Sequence, residues 1–221
     1  EPVLVSWSGS MFEYLMPLLV MPAYENSLLD QTCKSAVARQ IEYGRQRGLP
    51  WGISESGYHA VDAASNYQYR AFGVPGLGLK RGLSADVVVA PYASVLALLV
   101  DAPAAVRNLQ RLWNRGLAGA LGLYEAVDFT SSRLPPGETE IVVRSFMAHH
   151  QGMALLALVS LLRDQPMQRR FASDPNLRGT LLLLQERVPK VPSFHRHTTP
   201  PVESQLGFAP AEMPIRVISE P

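Results

Sequence analysis

Residues 51–76 read WGISESGYHAVDAASNYQYRAFGVPG. The segment gathers Trp51, Phe72, Tyr58, Tyr67 and Tyr69 with Glu55, His59, Asp62, Asn66, Gln68 and Arg70. Its apolar residues do not recur at helical spacing, and they do not alternate as in a half-buried strand. Aromatic rings stack on the C–H faces of a pyranose, and carboxylates, amides and an arginine satisfy its hydroxyls. That mix suits a sugar cleft. The same residues also fit an ordinary loop whose aromatics anchor it to a core.

The flanks supply the fold class. Upstream, Leu28, Leu29, Cys33, Ala36, Val37 and Ile41 form a one-sided helical stripe from Ser27 to about Arg47. Gly48 and Pro50 end it. Earlier still, Ser10 and Glu13 have capping-box spacing, and Pro17 should kink or shorten the helix they start. Downstream, GVPGLGLKRG at 73–82 forbids a stable helix and suggests close backbone approach to something, but it lacks the order of a phosphate loop. Pro91 and Asp101-Ala-Pro103 open two further helices, the second carrying Val106, Leu109, Leu112 and Trp113. From Val143 another helical face runs through Phe146, Met147, His150, Ala154, Ala157, Leu158 and Leu161. Asp174-Pro175 begins a last helix through Leu177, Leu181, Leu184 and Val188, whose leucine run implies burial on several sides. Convincing strands are almost absent, so the class is mainly α. Residues 1–188 are expected to form the helical domain, and the proline-rich 189–221 a linker or wrapping tail.

Composition narrows the function classes. With 20 basic and 19 acidic residues the formal charge is +1, which argues against a dedicated nucleic-acid binder. The chain is 47% hydrophobic and 18% charged, enough to bury a sizeable core. Apolar runs fall short of a membrane span, and the amino terminus has no secretory pattern. The lone Cys33 reads as core filler, with no disulfide framework. A soluble cytoplasmic domain, without membrane contact of its own, is the expectation.

Glu55 in GISESGY and Glu125 in GLYEAVD stand outside helical charge patterns, each beside aromatics. A carboxyl group in such a setting suits a general acid, and two across a cleft suffice for glycosidic-bond chemistry. His149 and His150 are adjacent, and adjacent helical side chains diverge by about 100°, so no metal is expected there. His150 also fits a core histidine, while His149 and Gln151 could reach a ligand. Arg70 and Lys80 flank the glycine-rich segment without obvious charge partners. MQRRF at 167–171 reads as a solvated helix face.

In order, SWSGSMFEYLMP, WGISESGY, NYQYRAFGVPGLGLKRG, LYEAVDF and VRSFMAHHQGM resemble the glucoamylase-like domain of bacterial cyclic β-1,2-glucan synthases. The resemblance implies an (α/α) toroid acting on β-1,2-glucan by cyclising transglycosylation or endo-hydrolysis, without a cofactor. It implies Glu55 and Glu125 as the essential carboxylates, with Glu125 as proton donor and Glu55 as its partner. Trp51, Tyr58, Asp62, Asn66, Tyr67, Gln68, Tyr69, Arg70, His149, His150 and Gln151 would bind the sugar. The partners implied are a β-glucan chain and the other domains of a larger, inner-membrane synthase. A full toroid of about twelve helices needs roughly 300 residues, so this chain is expected to be a partial toroid with about half the helices. A second reading is a non-catalytic module that holds glucan for neighbouring domains. A third is a purely structural helical domain.

Overall fold

The computed structural model describes residues 3–188, and the expected tail at 189–221 lies outside them. Helix α1 (Met11–Leu15) starts on the expected capping box: Ser10 accepts from the Glu13 N–H, and the Glu13 carboxylate accepts from the Ser10 N–H. The same carboxylate accepts from Ser6 Oγ at 2.8 Å and Ser8 Oγ at 2.7 Å. Burial pushes the Glu13 carboxyl up, but the hydrogen bonds from Ser8 and Ser6 prevail and hold it below the usual range. A 3₁₀ turn, Met16–Leu19, follows at Pro17.

Helix α2 (Leu28–Arg47) runs from a Ser27 cap to Gly48 at φ 68°, buries Cys33, Ala36 and Val37, and leaves Leu29 exposed. Burial pushes the Cys33 thiol to about 11, an unreactive thiol. From α2, Gln40 clasps the segment leading into residues 51–76. Its Oε1 accepts from Ile53 N–H at 2.9 Å and its Nε2 donates to Ile53 O at 2.7 Å.

The stretch without a readable period is a β-hairpin. Strand β1 (Ser56–Val61) pairs antiparallel with β2 (Tyr67–Arg70), and the register shifts between Tyr58 and Val61. A bulge of this kind breaks the two-residue alternation, so the strand hides from a pattern search. The glycine-rich segment that follows does approach something closely, namely residues 6–9 of the same chain. Lys80 N–H donates to Trp7 O at 2.9 Å, and a Cβ on Gly73 would lie 1.7 Å from Ser8 O.

Beyond it lie β3 (Val88–Val89), α3 (Pro91–Leu96), α4 (Ala102–Leu112), the short pair β4 (Ala118–Gly119) and β5 (Gly122–Leu123), then β6 (Ala126–Asp128) and β7 (Ile141–Val143). Strands β3, β6 and β7 form one antiparallel sheet with β6 central. Helix α4 is capped by Asp101 and buries Ala104, Ala105, Asn108 and Leu112, while Val106 and Trp113 face outward. Helix α5 (Ala148–Leu162) starts later than the expected Val143, because Ile141–Val143 pair with Ala126–Asp128 instead. β-branched residues favour that pairing. Leu158 and Leu161, expected on the buried face, are exposed together with Leu155 and Leu162.

Helix α6 (Pro166–Ser173) is followed by α7 (Pro175–Arg178), which Asp174 caps. The chain then tightens into 3₁₀ geometry over Gly179–Gln185 rather than continuing as one helix. Only Leu184 of its leucine run is buried, so burial on several sides is not found. Among the described residues there are seven α-helices and seven short strands. Helix is the main element, but strands carry the site. The core joins Met11 and Leu15 of α1, Leu96 of α3, Leu112 of α4 and Val88 of β3, all fully buried. Each such side chain contributes about 1.5–3 kcal/mol when taken from water.

Candidate active site

Two buried amides fix the approach to Glu55. Gln40 holds Ile53, and Asn108 of α4 holds Trp51: its Oδ1 accepts from Trp51 N–H at 3.1 Å and its Nδ2 donates to Trp51 O at 2.7 Å. Each amide satisfies backbone groups that would otherwise be buried without partners. Trp51 itself is only 5% exposed and belongs to the hydrophobic core. Its expected place as a sugar platform is corrected: it anchors the segment rather than lining the cleft.

Glu55 emerges next, half-buried. Its Oε1 accepts from the Tyr69 hydroxyl at 2.9 Å, and its backbone carbonyl accepts from the Tyr92 hydroxyl at 2.9 Å. Glu125, from the turn before β6, is 2% exposed. Its Oε1 accepts from Gly57 N–H of β1 at 3.0 Å, and His150 Nδ1 lies 3.0 Å from the carboxylate. Gly57 packs closely here: a Cβ would meet Glu125 Cγ tightly at 3.3 Å and Val143 Cγ1 at an ordinary 3.5 Å. Two residues along β1, His59 N–H donates to the buried Asp128 at 3.1 Å. Glu125 and Asp128 thus grip alternate amides of the same strand.

His150 connects the two carboxyl groups. Whenever Glu125 is ionised it can only accept, which places the imidazole hydrogen on Nδ1 and leaves Nε2 as an acceptor. Nε2 lies 3.3 Å from the Tyr69 hydroxyl, and His149 Nε2 lies 3.4 Å from it. A chain of contacts therefore runs Glu125–His150–Tyr69–Glu55. Desolvation, reinforced by Glu55 and Glu125, raises the Tyr69 phenol far above its ordinary value, so it stays protonated. Desolvation first, then the neighbouring His150, lowers the His149 imidazole, which favours a neutral ring.

A cleft of about 180 Å³ opens beside this chain, lined by Tyr92, Leu123, Tyr124, Glu125, His150 and Gln151 among others. Gln151 is tied to Leu123 O at 3.1 Å. The sequence reading placed Tyr92 only in a buried helical stripe. In the fold its ring stacks on His150 at 3.7 Å and its hydroxyl lies 2.8 Å from Ser54 Oγ. Pro91 opening a helix was legible, but the partner across the fold was not.

The other expected contacts divide. Tyr58 packs edge-on against Phe72 at 5.5 Å, beneath the guanidinium groups of Arg70 and Arg133. Arg70 pairs with Asp86, which also pairs with Arg133. Asp62 accepts from Ala64 N–H and Asn66 N–H, each at 2.9 Å, so Asp62 and Asn66 close the hairpin turn. Tyr67 is half-buried against the core, while Gln68 and Lys80 are exposed. The structure therefore gathers Glu55, Tyr69, Glu125, His149, His150 and Gln151 at one place, with Tyr58 and Arg70 in a neighbouring aromatic–arginine stack.

The sequence profile of the Glycoamylase family, a glucoamylase family by its description, matches residues 1–175. The chain is 45% identical over 222 aligned residues to the cyclic beta-(1,2)-glucan synthase NdvB of Rhizobium meliloti (strain 1021), covering 99% of this chain and 8% of that protein. Among solved structures, a beta-1,2-glucanase from Parabacteroides distasonis superposes with a TM-score of 0.55 at 18% identity, over 80% of this chain and 24% of that one. The endo-beta-1,2-glucanase from Chitinophaga pinensis, solved with sophorotriose and glucose, gives 0.53 at 16% identity, over 81% of this chain and 41% of that one. The chain thus spans only a small part of the relative and less than half of either structure. On the extent of the profile match and the identity to the synthase, the chain belongs to the Glycoamylase family.

Proposed function

We propose that this chain is a glycoside-processing domain acting on β-1,2-glucan, working by two carboxyl groups within a larger synthase. The observation that carries this is the Glu125–His150–Tyr69–Glu55 chain, drawn from three separate parts of the sequence, with its Glu125 and His150 end lining a cleft. The named activities of the synthase relative and the two glucanases support the substrate class. In this reading Glu125 is the proton donor. It borders the cleft, acts in its protonated form with His150 Nδ1 then accepting from it, and regains the proton it gives to the leaving oxygen from the incoming sugar hydroxyl or water. Glu55 is the partner carboxylate, the nucleophile in a retaining cyclisation, with Tyr69 orienting it. His149 and Gln151 complete the sugar contacts.

The larger setting is proposed on the same basis. The described helices and strands form part of a toroid whose remaining helices lie elsewhere in a longer protein, and residues 189–221 link to another of its domains. No helix among the described residues is long and apolar enough to cross a membrane. We place the domain on the cytoplasmic side of an inner-membrane protein. The test is the full-length protein with linear β-1,2-glucan, products followed by mass. Glu55→Gln and Glu125→Gln should each abolish cleavage or cyclisation while glucan binding persists. Full activity in either variant removes that residue from the mechanism.

One observation favours the alternative of a glucan-holding module: Glu125 is buried and both its partners are already in place. A holding module would retain normal function in the intact protein after Glu55→Gln.

A further inference from the structure

Adjacent histidines on a helix should diverge, yet at the start of α5 their rings lie 4.0 Å apart, centre to centre. Both present Nε2 to the Tyr69 hydroxyl, as Glu55 presents its carboxylate. Ligand atoms of Glu55, His149 and His150 all lie within 4.8 Å of one another. The convergence arises because the two residues occupy the helix's first turn, against a hairpin that supplies both Tyr69 and the approach to Glu55.

The geometry points to a second property of this cluster: a binding site for a first-row divalent transition ion of the zinc type, held by His149 Nε2, His150 Nε2 and the Glu55 carboxylate. The ion engages the group assigned above as nucleophile and therefore competes with turnover. An independent observation supports it. His150 is 1% exposed, and its other nitrogen sits 3.0 Å from the buried Glu125 carboxylate. A carboxylate behind a metal-binding imidazole fixes the tautomer that leaves Nε2 free and raises its basicity. Glu125 therefore stands where an outer-shell partner is needed.

Two imidazoles and one carboxylate select zinc, nickel or copper ions over calcium or magnesium, which prefer all-oxygen sets. Ligand atoms in a tetrahedral zinc site lie about 3.4 Å apart, given bonds of about 2.1 Å. The exposed His149 ring and half-buried Glu55 carboxyl can close that remaining gap. The Tyr69 hydroxyl oxygen stands 2.9 Å from the Glu55 carboxylate, 3.3 Å from His150 Nε2 and 3.4 Å from His149 Nε2, near tetrahedral edge lengths, and so offers the fourth position. The positive end of α5 opposes a cation, and the charges of Glu55 and Glu125 offset it. No covalent change or redox partner is required.

The experiment titrates zinc chloride into the chelator-treated full-length protein by calorimetry, comparing the parent with His149→Ala and Glu125→Gln. The parent should bind one more ion than His149→Ala. Glu125→Gln should keep that ion but bind it about 10–100-fold more weakly. Equal stoichiometry and affinity in the parent and His149→Ala overturn the proposal. Should His149→Ala fail to fold, cobalt(II) added to the parent decides. An intense tetrahedral visible band, bleached by equimolar zinc, supports the site, and no band beyond that of the free ion overturns it.

Discussion

Replacing Glu125 by Gln preserves shape and changes which atom donates. Gly57 N–H and His150 Nδ1 both meet the carboxylate at 3.0 Å. A carboxamide keeps one oxygen for Gly57 but turns an NH₂ toward Nδ1, so the imidazole must carry its hydrogen on Nε2. That nitrogen lies 3.3 Å from the Tyr69 hydroxyl. The ring would then donate toward Tyr69, and Tyr69 would remain the donor to Glu55. Two hydrogen bonds to a charged group become neutral ones, a loss of about 1–2 kcal/mol in folding stability. For a domain of this size that is a fall of roughly 2–8 °C in Tm. A carboxamide also cannot give up the proton that the proposed mechanism draws from Glu125, so kcat with linear β-1,2-glucan is expected to fall by about 10²–10⁴. Nitrogen-15 NMR of the histidine side chains reads the tautomer directly. If His150 keeps Nδ1–H in the variant, and turnover falls less than tenfold, the assigned chain from Glu125 to Glu55 is wrong.

Three further outcomes follow from other contacts. Gly57→Ala puts a Cβ 3.3 Å from Glu125 Cγ; overpacking should cost about 1–3 kcal/mol in a denaturant melt and lower kcat more than it changes KM. Tyr92→Phe keeps the stack on His150 but strips the hydroxyl from Ser54 Oγ and Glu55 O, which should cost about 1–3 kcal/mol by thermal unfolding and weaken turnover without unfolding the site. Asp128→Asn should destabilise by about 1–3 kcal/mol at neutral pH, because the buried position loses charge-assisted hydrogen bonds from Arg133, Thr130 and His59, while Arg133 keeps Asp86. Burial pushes the Asp128 carboxyl up, but Arg133, Thr130 and His59 prevail and hold it below the usual range. A depressed folded value means the stabilisation is present above the unfolded value and lost as pH falls through the folded one. The gap between parent and Asp128→Asn should therefore be widest at neutral pH and close in acid; a gap that stays constant down the acid limb contradicts this.

Helices with local signals were legible in the sequence. Ser27 and Gly48 bracket α2, Asp101 opens α4 and Asp174 opens α7, because a cap or stop acts within a turn of its own residue. Glu55, Glu125 and the histidine pair stood out as chemistry, and they do meet. What stayed hidden depends on partners distant in the chain. The register shift in β1 erased its alternation, and Val142 and Val143 join a strand because Ala126 and Val127 lie opposite them. Trp51 looked like a platform until Asn108 was seen to hold its backbone. Leu158 and Leu161 share a face by periodicity, but periodicity does not say whether anything covers that face.

The grip of Glu125 and Asp128 on alternate amides of β1 gives the hairpin a clock. The Gly57 and His59 amides are bonded not to a neighbouring backbone but to carboxyl groups, so their hydrogen exchange reports the two anchors separately. Only below the usual carboxylate range should protonation of Asp128 release the His59 amide to solvent, while the Gly57 amide reports its bond to Glu125 alone. The two amides then tell whether the hairpin lifts as one unit or unzips from its outer end.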